Sequence, residues 1–401
     1  MREINLVEYQ PSEYDLSPQE LDALLCINIQ GLLVEPIEAQ EGRFRLTPGP
    51  TVGAVETAKL SVLISPKIGI AQLLAISCYA HSRYRQIGEF KFPESRSLHD
   101  ALALALTRAA REACGSGVLR GYRAQEDELL TVRGRIKFTE QLRRRFGPEP
   151  PVAVGFDEYT EDILLNRLIA AAAHRLGRFR LRSKTARAGL AWIAGTLQNV
   201  SLVEFPDRQI PEIRFGQLNK HYRPAVTLSK LILRYTGFEA DRGDVKAGGF
   251  LINMNKLFQD FVFEGMREQL ARTGLRPHAD RKLPTQLALD EDCRVSLMPD
   301  LSCWDRGQCT FVGDIKYKNL TGEKVPAADI YQVLAYTTAA NLSHGLLVYA
   351  LGEAASRSYR IRNAGKVIRV TALDLSKPLD EILIDIGYIA KTVAELRRSA
   401  A

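Results

Sequence analysis

Near the start of the chain, apolar and polar positions alternate in short bursts. Arg43 to Leu46, Thr51 to Val55 and Leu60 to Ile64 each predict a strand, separated by the turn signals Pro48-Gly49-Pro50 and Glu56 to Lys59. The period then changes to that of a helix over Ile70 to Ala80 and over Leu98 to Cys114, the latter with an alanine-rich face suited to helix packing. An Arg-Gly-Arg-Ile stretch (Arg133 to Ile136) and the break Pro148-Glu149-Pro150-Pro151 precede two further predicted helices, Asp162 to Leu176 and Gly189 to Gln198. Gly243 to Gly249 carries three glycines and few apolar residues, and predicts a linker.

Beyond that linker the pattern predicts a helix over Asn255 to Thr273, strands over Val295 to Trp304 and Cys309 to Tyr317, and a helix over Ala328 to Ala340. A strand over Leu346 to Ala350, a hairpin across Asn363-Ala364-Gly365 and a long helix from Leu379 complete it. The fold class expected is a multidomain α/β (α+β) chain: a β-rich, mixed N-terminal domain (1–160), a helical connector (161–248) and an α/β core (249–401).

Composition narrows the setting. The longest apolar runs, Ile68 to Ser77 and Gly345 to Leu351, break well short of the roughly 18 residues a membrane span needs, and the N-terminus lacks the basic-then-apolar pattern of a secretory signal. A cytoplasmic location with no membrane partner is expected. The six cysteines have no C-x-x-C spacing, and the three between Cys293 and Cys309 lack a fourth ligand for an iron–sulfur cluster, so reduced thiols are expected. The net charge of +7 suggests an anionic partner. It is concentrated in Arg133, Arg135, Lys137, Arg143, Arg144 and Arg145, and again in Arg175, Arg178, Arg180, Arg182, Lys184 and Arg187; each cluster reads equally as phosphate contact or as a solvated helix face. The six histidines have neither metal-pair nor nucleophile-partner spacing, and no serine sits in a G-x-S-x-G elbow.

The chemistry concentrates in the two strands after residue 295. Folding back about Asp305-Arg306-Gly307-Gln308 brings Asp300 within one register position of Asp314, and the strand period of two points Asp314 and Lys316 to one face. Two buried carboxylates and an ammonium are costly unless used, and carboxylates suit a hard oxygen-seeking cation such as Mg²⁺ while the lysine orients water. The spacing Pro299-Asp300, thirteen residues, Asp314-x-Lys316 is the PD-(D/E)xK signature. Glu264, on the flank of the helix stripe Leu257, Phe258, Phe261, Val262 and Met266, stands where a third metal-directed carboxylate is expected. Gln332 and Tyr336, four apart on the following helix, are placed to contact a substrate backbone or to orient Lys316.

Met254-Asn255-Lys256-Leu257-Phe258-Gln259-Asp260-Phe261 with Glu264, then Met298-Pro299-Asp300, Asp314-Ile315-Lys316-Tyr317 and Tyr331-Gln332, resemble the McrC family in order and spacing. The resemblance extends upstream through Ser65-Pro66-Lys67-Ile68, Arg133 to Ile136, and Asp157-Glu158-Tyr159-Thr160 with Asn166-Arg167. It implies a restriction-endonuclease-like C-terminal core, Asp300, Asp314 and Lys316 as cleavage residues, Asp300, Asp314 and Glu264 as Mg²⁺ ligands, and methylated DNA as substrate. Many relatives place a glutamate at the position of Gln259. It also implies a partner, an McrB-like hexameric AAA+ GTPase engaged by residues 1–160, in keeping with the absence of a G-x-x-x-x-G-K-[ST] loop from this chain. The competing expectations are an inactive adaptor that binds the ring or DNA, and a stand-alone nuclease.

Overall fold

The computed structural model describes residues 2–400 apart from 28, 39, 58, 83–97, 146–149, 207–209, 237, 243–244, 273, 279–283, 319–324 and 351–355. The chain forms two compact units that do not follow sequence order. One takes residues 1–91, 239–247 and 251–401, and the other 92–238 with 248–250. The boundaries expected at 160 and 248 therefore do not separate the units, because strands remote in sequence share one sheet.

The chain opens with β1 (Arg2–Val7), β2 (Ser12–Asp15), α1 (Pro18–Ile27), β3 (Leu33–Pro36), β4 (Arg43–Thr47), β5 (Thr51–Glu56), β6 (Leu60–Ser65) and α2 (Ile70–Ser82). The predicted strands at 43, 51 and 60 and the predicted helix at 70 are β4, β5, β6 and α2. β5 is buried along all but its last residue, as an apolar run in mid-sheet must be. β1 runs parallel to β6, and β6 antiparallel to β5. Ser17 and Glu20 form a capping box on α1, the Ser17 amide and hydroxyl both donating to Glu20.

The second unit contains α3 (Leu98–Cys114), β7 (Gly121–Leu129), β8 (Arg135–Ile136), α4 (Phe138–Arg145), β9 (Val152–Thr160), α5 (Leu164–Gly177), α6 (Lys184–Thr196) and α7 (Arg223–Tyr235). α3, α5, α6 and α7 pack on one another, and β9 lies between β7 and β8 in an antiparallel ribbon. α5 begins later than expected because the carboxylate of Asp162 is taken up by Arg167 (2.6 Å, both oxygens) and by the amide and hydroxyl of Ser201. α6 begins earlier because Ser183 caps it through the Ala186 amide. Gly134, at φ +78°, has its α-carbon so close to β9 that a Cβ would lie 2.5 Å from the Gly155 carbonyl oxygen; this need accounts for the glycine of the Arg-Gly-Arg-Ile stretch.

The next strands are β10 (Phe238–Arg242) and β11 (Val245–Asn253), most of whose residues belong to the first unit, with 238 and 248–250 in the second. The expected linker at 243–249 is thus largely strand, with 243–244 outside the described residues, and it completes a sheet of order β1-β6-β5-β11-β10. There follow α8 (Met254–Ala271), β12 (Pro277–His278), β13 (Leu287–Ala288), β14 (Ser296–Leu297), β15 (Leu301–Asp305), β16 (Gln308–Lys316), α9 (Ala327–Ala339), β17 (His344–Ala350), β18 (Arg357–Ile361), β19 (Lys366–Leu373) and α10 (Leu379–Ala400). The core sheet runs β12-β15-β16-β17-β19-β18, with β16, β17 and β19 parallel and the outer pairings antiparallel. Val333 of α9 packs on Leu347, Tyr349, Ile368 and Val370, while α8 and α10 pack together and against β16. The strand expected over Val295 to Trp304 is broken at 298–300, where Pro299 has no amide hydrogen to donate; β14 pairs with β13 instead. No described helix is long and apolar enough to cross a membrane.

Candidate active site

The hairpin of β15 and β16 sets the site. Arg306 (φ 48°) and Gly307 (φ 83°) both take left-handed conformations between paired Asp305 and Gln308, as a tight two-residue hairpin turn requires. From that turn alone, Asp300 would fall opposite Gly313. A bulge at Cys303/Trp304 shifts the register by one residue, giving Leu301↔Gly313, so the next step of the ladder sets Asp300 opposite Asp314. The irregularity therefore creates the carboxylate pair.

Asp314 is buried and Asp300 half-buried. Asp300 accepts a hydrogen bond from the Gln259 side-chain amide of α8 on Oδ1 and one from the Ile315 backbone N–H at 3.0 Å on Oδ2. Asp314 is 1% exposed, and Lys316 Nζ lies 2.7 Å from its Oδ2. The ammonium is the counter-charge of this buried oxygen. Burial raises the proton affinity of both carboxyls; the negative charge of Asp314 raises that of Asp300 further, while Lys316 partly offsets the rise at Asp314. Both carboxyls therefore hold their protons to a higher pH than ordinary carboxylates do. Burial disfavours the ammonium of Lys316, but Asp314, with the charges of Asp300 and Asp329, more than reverses this.

Gln332 and Tyr336 stand on one face of α9, as their spacing predicts. The Gln332 amide donates to the Tyr336 hydroxyl at 2.7 Å, and that hydroxyl donates to the Met298 carbonyl at 3.2 Å. They hold the turn that leads into Asp300; neither bond goes to Lys316. Glu264 does not join the carboxylate pair: its Oε2 lies 2.6 Å from Arg267, and among the described residues no three His, Cys, Asp or Glu side chains gather as a metal-holding group. Five residues along α8, it is turned about 140° around the axis from Gln259, the side chain that does reach Asp300.

Asp329, in the first turn of α9, escaped the sequence reading. It is buried, receives both 3.0 Å bonds of Lys318 Nζ and a 2.7 Å bond from the Tyr349 hydroxyl, and adds its charge to the field at Asp314 and Lys316. Its signal was a carboxylate on the buried α9 stripe continued by Val333 and Tyr336.

The basic stretches have mixed fates. Arg133 stacks over Phe156 at 4.4 Å, and Lys137 pairs with Glu126 and Glu140. The side chains of Arg144 and Arg145 lie outside the described residues. Arg175 and Arg187 donate to the backbone carbonyls of Leu233 and Leu181, fastening the helical unit internally.

A family model described as McrBC 5-methylcytosine restriction system component matches residues 46–350. Among solved structures, the chain is similar to one in a refined half-complex from a tetradecameric assembly of Thermococcus gammatolerans McrB AAA+ hexamers with bound McrC. Identity there is 16%, coverage 98% of this chain and 100% of that chain, and the TM-score 0.63, a likeness of fold. It also matches a chain in a cryo-EM structure of the Thermococcus gammatolerans McrBC complex, at 18% identity over 67% of this chain and 88% of that one, with a TM-score of 0.45. No curated protein matches the chain.

Proposed function

The chain belongs to the family of McrBC 5-methylcytosine restriction system components, and from that premise we propose that it is the McrC-type subunit, a Mg²⁺-dependent DNA endonuclease with a PD-(D/E)xK core. The observation that carries the reading is the pair of half-buried Asp300 and buried Asp314 beside Lys316, assembled by a register-shifting bulge. Two carboxylates side by side with a single ammonium carry an excess of negative charge, and a hard cation that prefers oxygen ligands fits such a pair. Asp300 and Asp314 would hold the Mg²⁺, while Glu264 is paired with Arg267. When bound, the ion supplies charge neutralisation at the scissile phosphate and a more acidic water.

The remaining work falls to the chain itself. Lys316 Nζ orients the attacking water and offsets the charge that builds on the phosphate. Gln259 and the Ile315 amide fix the Asp300 carboxylate, and Gln332 with Tyr336 fixes the turn before it.

The partner is an McrB-like AAA+ GTPase hexamer, as the assembly containing the similar fold suggests, and the substrate is methylated DNA in the cytoplasm. In the second unit, Leu130 (77% exposed) and Phe138 (63% exposed) are exposed large apolar residues that bracket Arg133 and Arg135 in sequence, residue types that a protein partner covers. The test is cleavage of methylated and unmethylated plasmid with Mg²⁺, with and without the AAA+ subunit and GTP. Cutting of methylated plasmid that requires the partner supports the reading. Cutting without it would make the chain a stand-alone nuclease, and partner hydrolysis stimulated without cutting would make it an adaptor.

A further inference from the structure

Lys316, Tyr317 and Lys318 close the catalytic strand, and each is fastened to a different element. Lys316 meets Asp314 on its own strand, and Lys318 meets Asp329 on α9. Tyr317, pointing to the other side of the strand, packs its ring on Phe258 of α8 at 5.9 Å and donates its hydroxyl to Glu8 Oε1 at 2.7 Å.

Glu8 is the unexpected member of this set. It follows β1 and is fully buried. Its Oε1 also accepts the Lys67 backbone N–H at 2.7 Å, while Oε2 has no partner among the described residues. Its backbone amide donates to the Ser65 carbonyl, so the Ser65-Pro66-Lys67 turn is wrapped around it. The next residue, Tyr9, takes a left-handed conformation at φ 58°, sits under Lys67 Nζ at 5.0 Å, and donates its hydroxyl to Asn255 Oδ1 on α8 at 3.3 Å. A strained non-glycine residue and a buried carboxylate with an idle oxygen both cost stability. What they secure is one hydrogen bond across 309 residues of sequence to the neighbour of the catalytic lysine.

We infer that Glu8 is a positioning residue for the cleavage site, acting through Tyr317 to hold the end of β16 so that Lys316 faces Asp314. The inference rests on the endonuclease reading above. The strand end has no ladder partner on β15 beyond Leu301, and its pairing with β17 stops at Lys316. Tyr317 is thus the first residue past the ladder, and its side chain replaces the missing strand pairing. The Ser65-Pro66-Lys67 turn and the Met254-Asn255 start of α8, far apart in sequence, meet at this latch for the same purpose.

The test uses the full chain with its AAA+ partner and compares Tyr317→Phe, Glu8→Leu and Glu8→Gln with wild type and Asp314→Ala. The Glu8→Gln side chain keeps a carbonyl oxygen for the tyrosine hydroxyl, so this variant is expected to cleave at close to the wild-type rate. Tyr317→Phe and Glu8→Leu are expected to lower kcat roughly 10- to 100-fold, the cost of a small misplacement of a reacting group, with KM for DNA and partner hydrolysis unchanged. The double variant should be no slower than either single one. Wild-type kcat in Tyr317→Phe overturns the inference alone, as does a rise in KM or loss of partner stimulation in step with kcat, which would mark a general structural role. If wild type fails to cleave, or Asp314→Ala cleaves as well as wild type, the endonuclease reading falls and takes the inference with it.

Discussion

Gln259→Glu places a third carboxylate on Asp300 and so separates the cost of the site from its purpose. In the wild-type chain the Gln259 amide donates to the half-buried Asp300. Losing a hydrogen bond to a charged group costs about 1.5–3 kcal/mol. Two carboxylates some 4 Å apart at an effective dielectric near 20 repel by about 4 kcal/mol if both ionise, and protonation of one relieves much of this. A net loss of about 2–4 kcal/mol is expected without metal, which for a unit of this size lowers Tm by roughly 5–10 °C. A cation held by Asp300 and Asp314 offsets the loss, because the added carboxylate becomes a ligand; a Kd about 100-fold below that of wild type returns about 2.7 kcal/mol of the difference once both proteins are saturated. Differential scanning fluorimetry with EDTA and with millimolar Mg²⁺ reads both arms. The variant should melt lower than wild type in EDTA and recover most of the difference in Mg²⁺. An equal drop in both conditions, or no drop in EDTA, would refute the placement of the cation between these side chains.

Two further outcomes follow from the second unit. Gly134→Ala forces a Cβ to 2.5 Å from the Gly155 carbonyl at a positive φ, and should cost about 2–5 kcal/mol in urea unfolding; a loss under about 0.5 kcal/mol would contradict it. His99 is buried, stacked on Phe179 at 4.2 Å, and its Nε2 has no partner among the described residues. Burial lowers its pKa to about 4, so below pH 6.5 the unfolded chain takes up a proton that the folded chain refuses. Stability should fall by up to about 3 kcal/mol as pH drops from 6.5 towards 4. His99→Phe should flatten that slope, and an unchanged slope would refute the assignment.

Local pattern carried the sequence reading far. β4, β5, β6, α2, α3, α8, α9 and the β15–β16 hairpin announce themselves by period and turn residues, and Asp314 and Lys316 follow from two-residue spacing. What escaped depends on partners remote in sequence. The Gly121–Leu129 strand alternates but is polar on both faces, so it shows no apolar stripe. The unit boundaries depend on β11 joining the N-terminal sheet, which turns an apparent linker into a strand. Glu264 stands on the flank of the apolar α8 stripe, whereas Gln259 is the α8 side chain that bonds Asp300. Glu8 looks like an ordinary N-terminal carboxylate until Tyr317 is folded against it.

Mg²⁺-dependent cleavage of methylated plasmid by the complete complex, wild type beside Asp314→Ala, tests the central claim most directly. The account predicts cutting by wild type and a loss of roughly 100-fold or more in the variant, with the variant still stimulating partner GTP hydrolysis. Equal cutting by both proteins would contradict it.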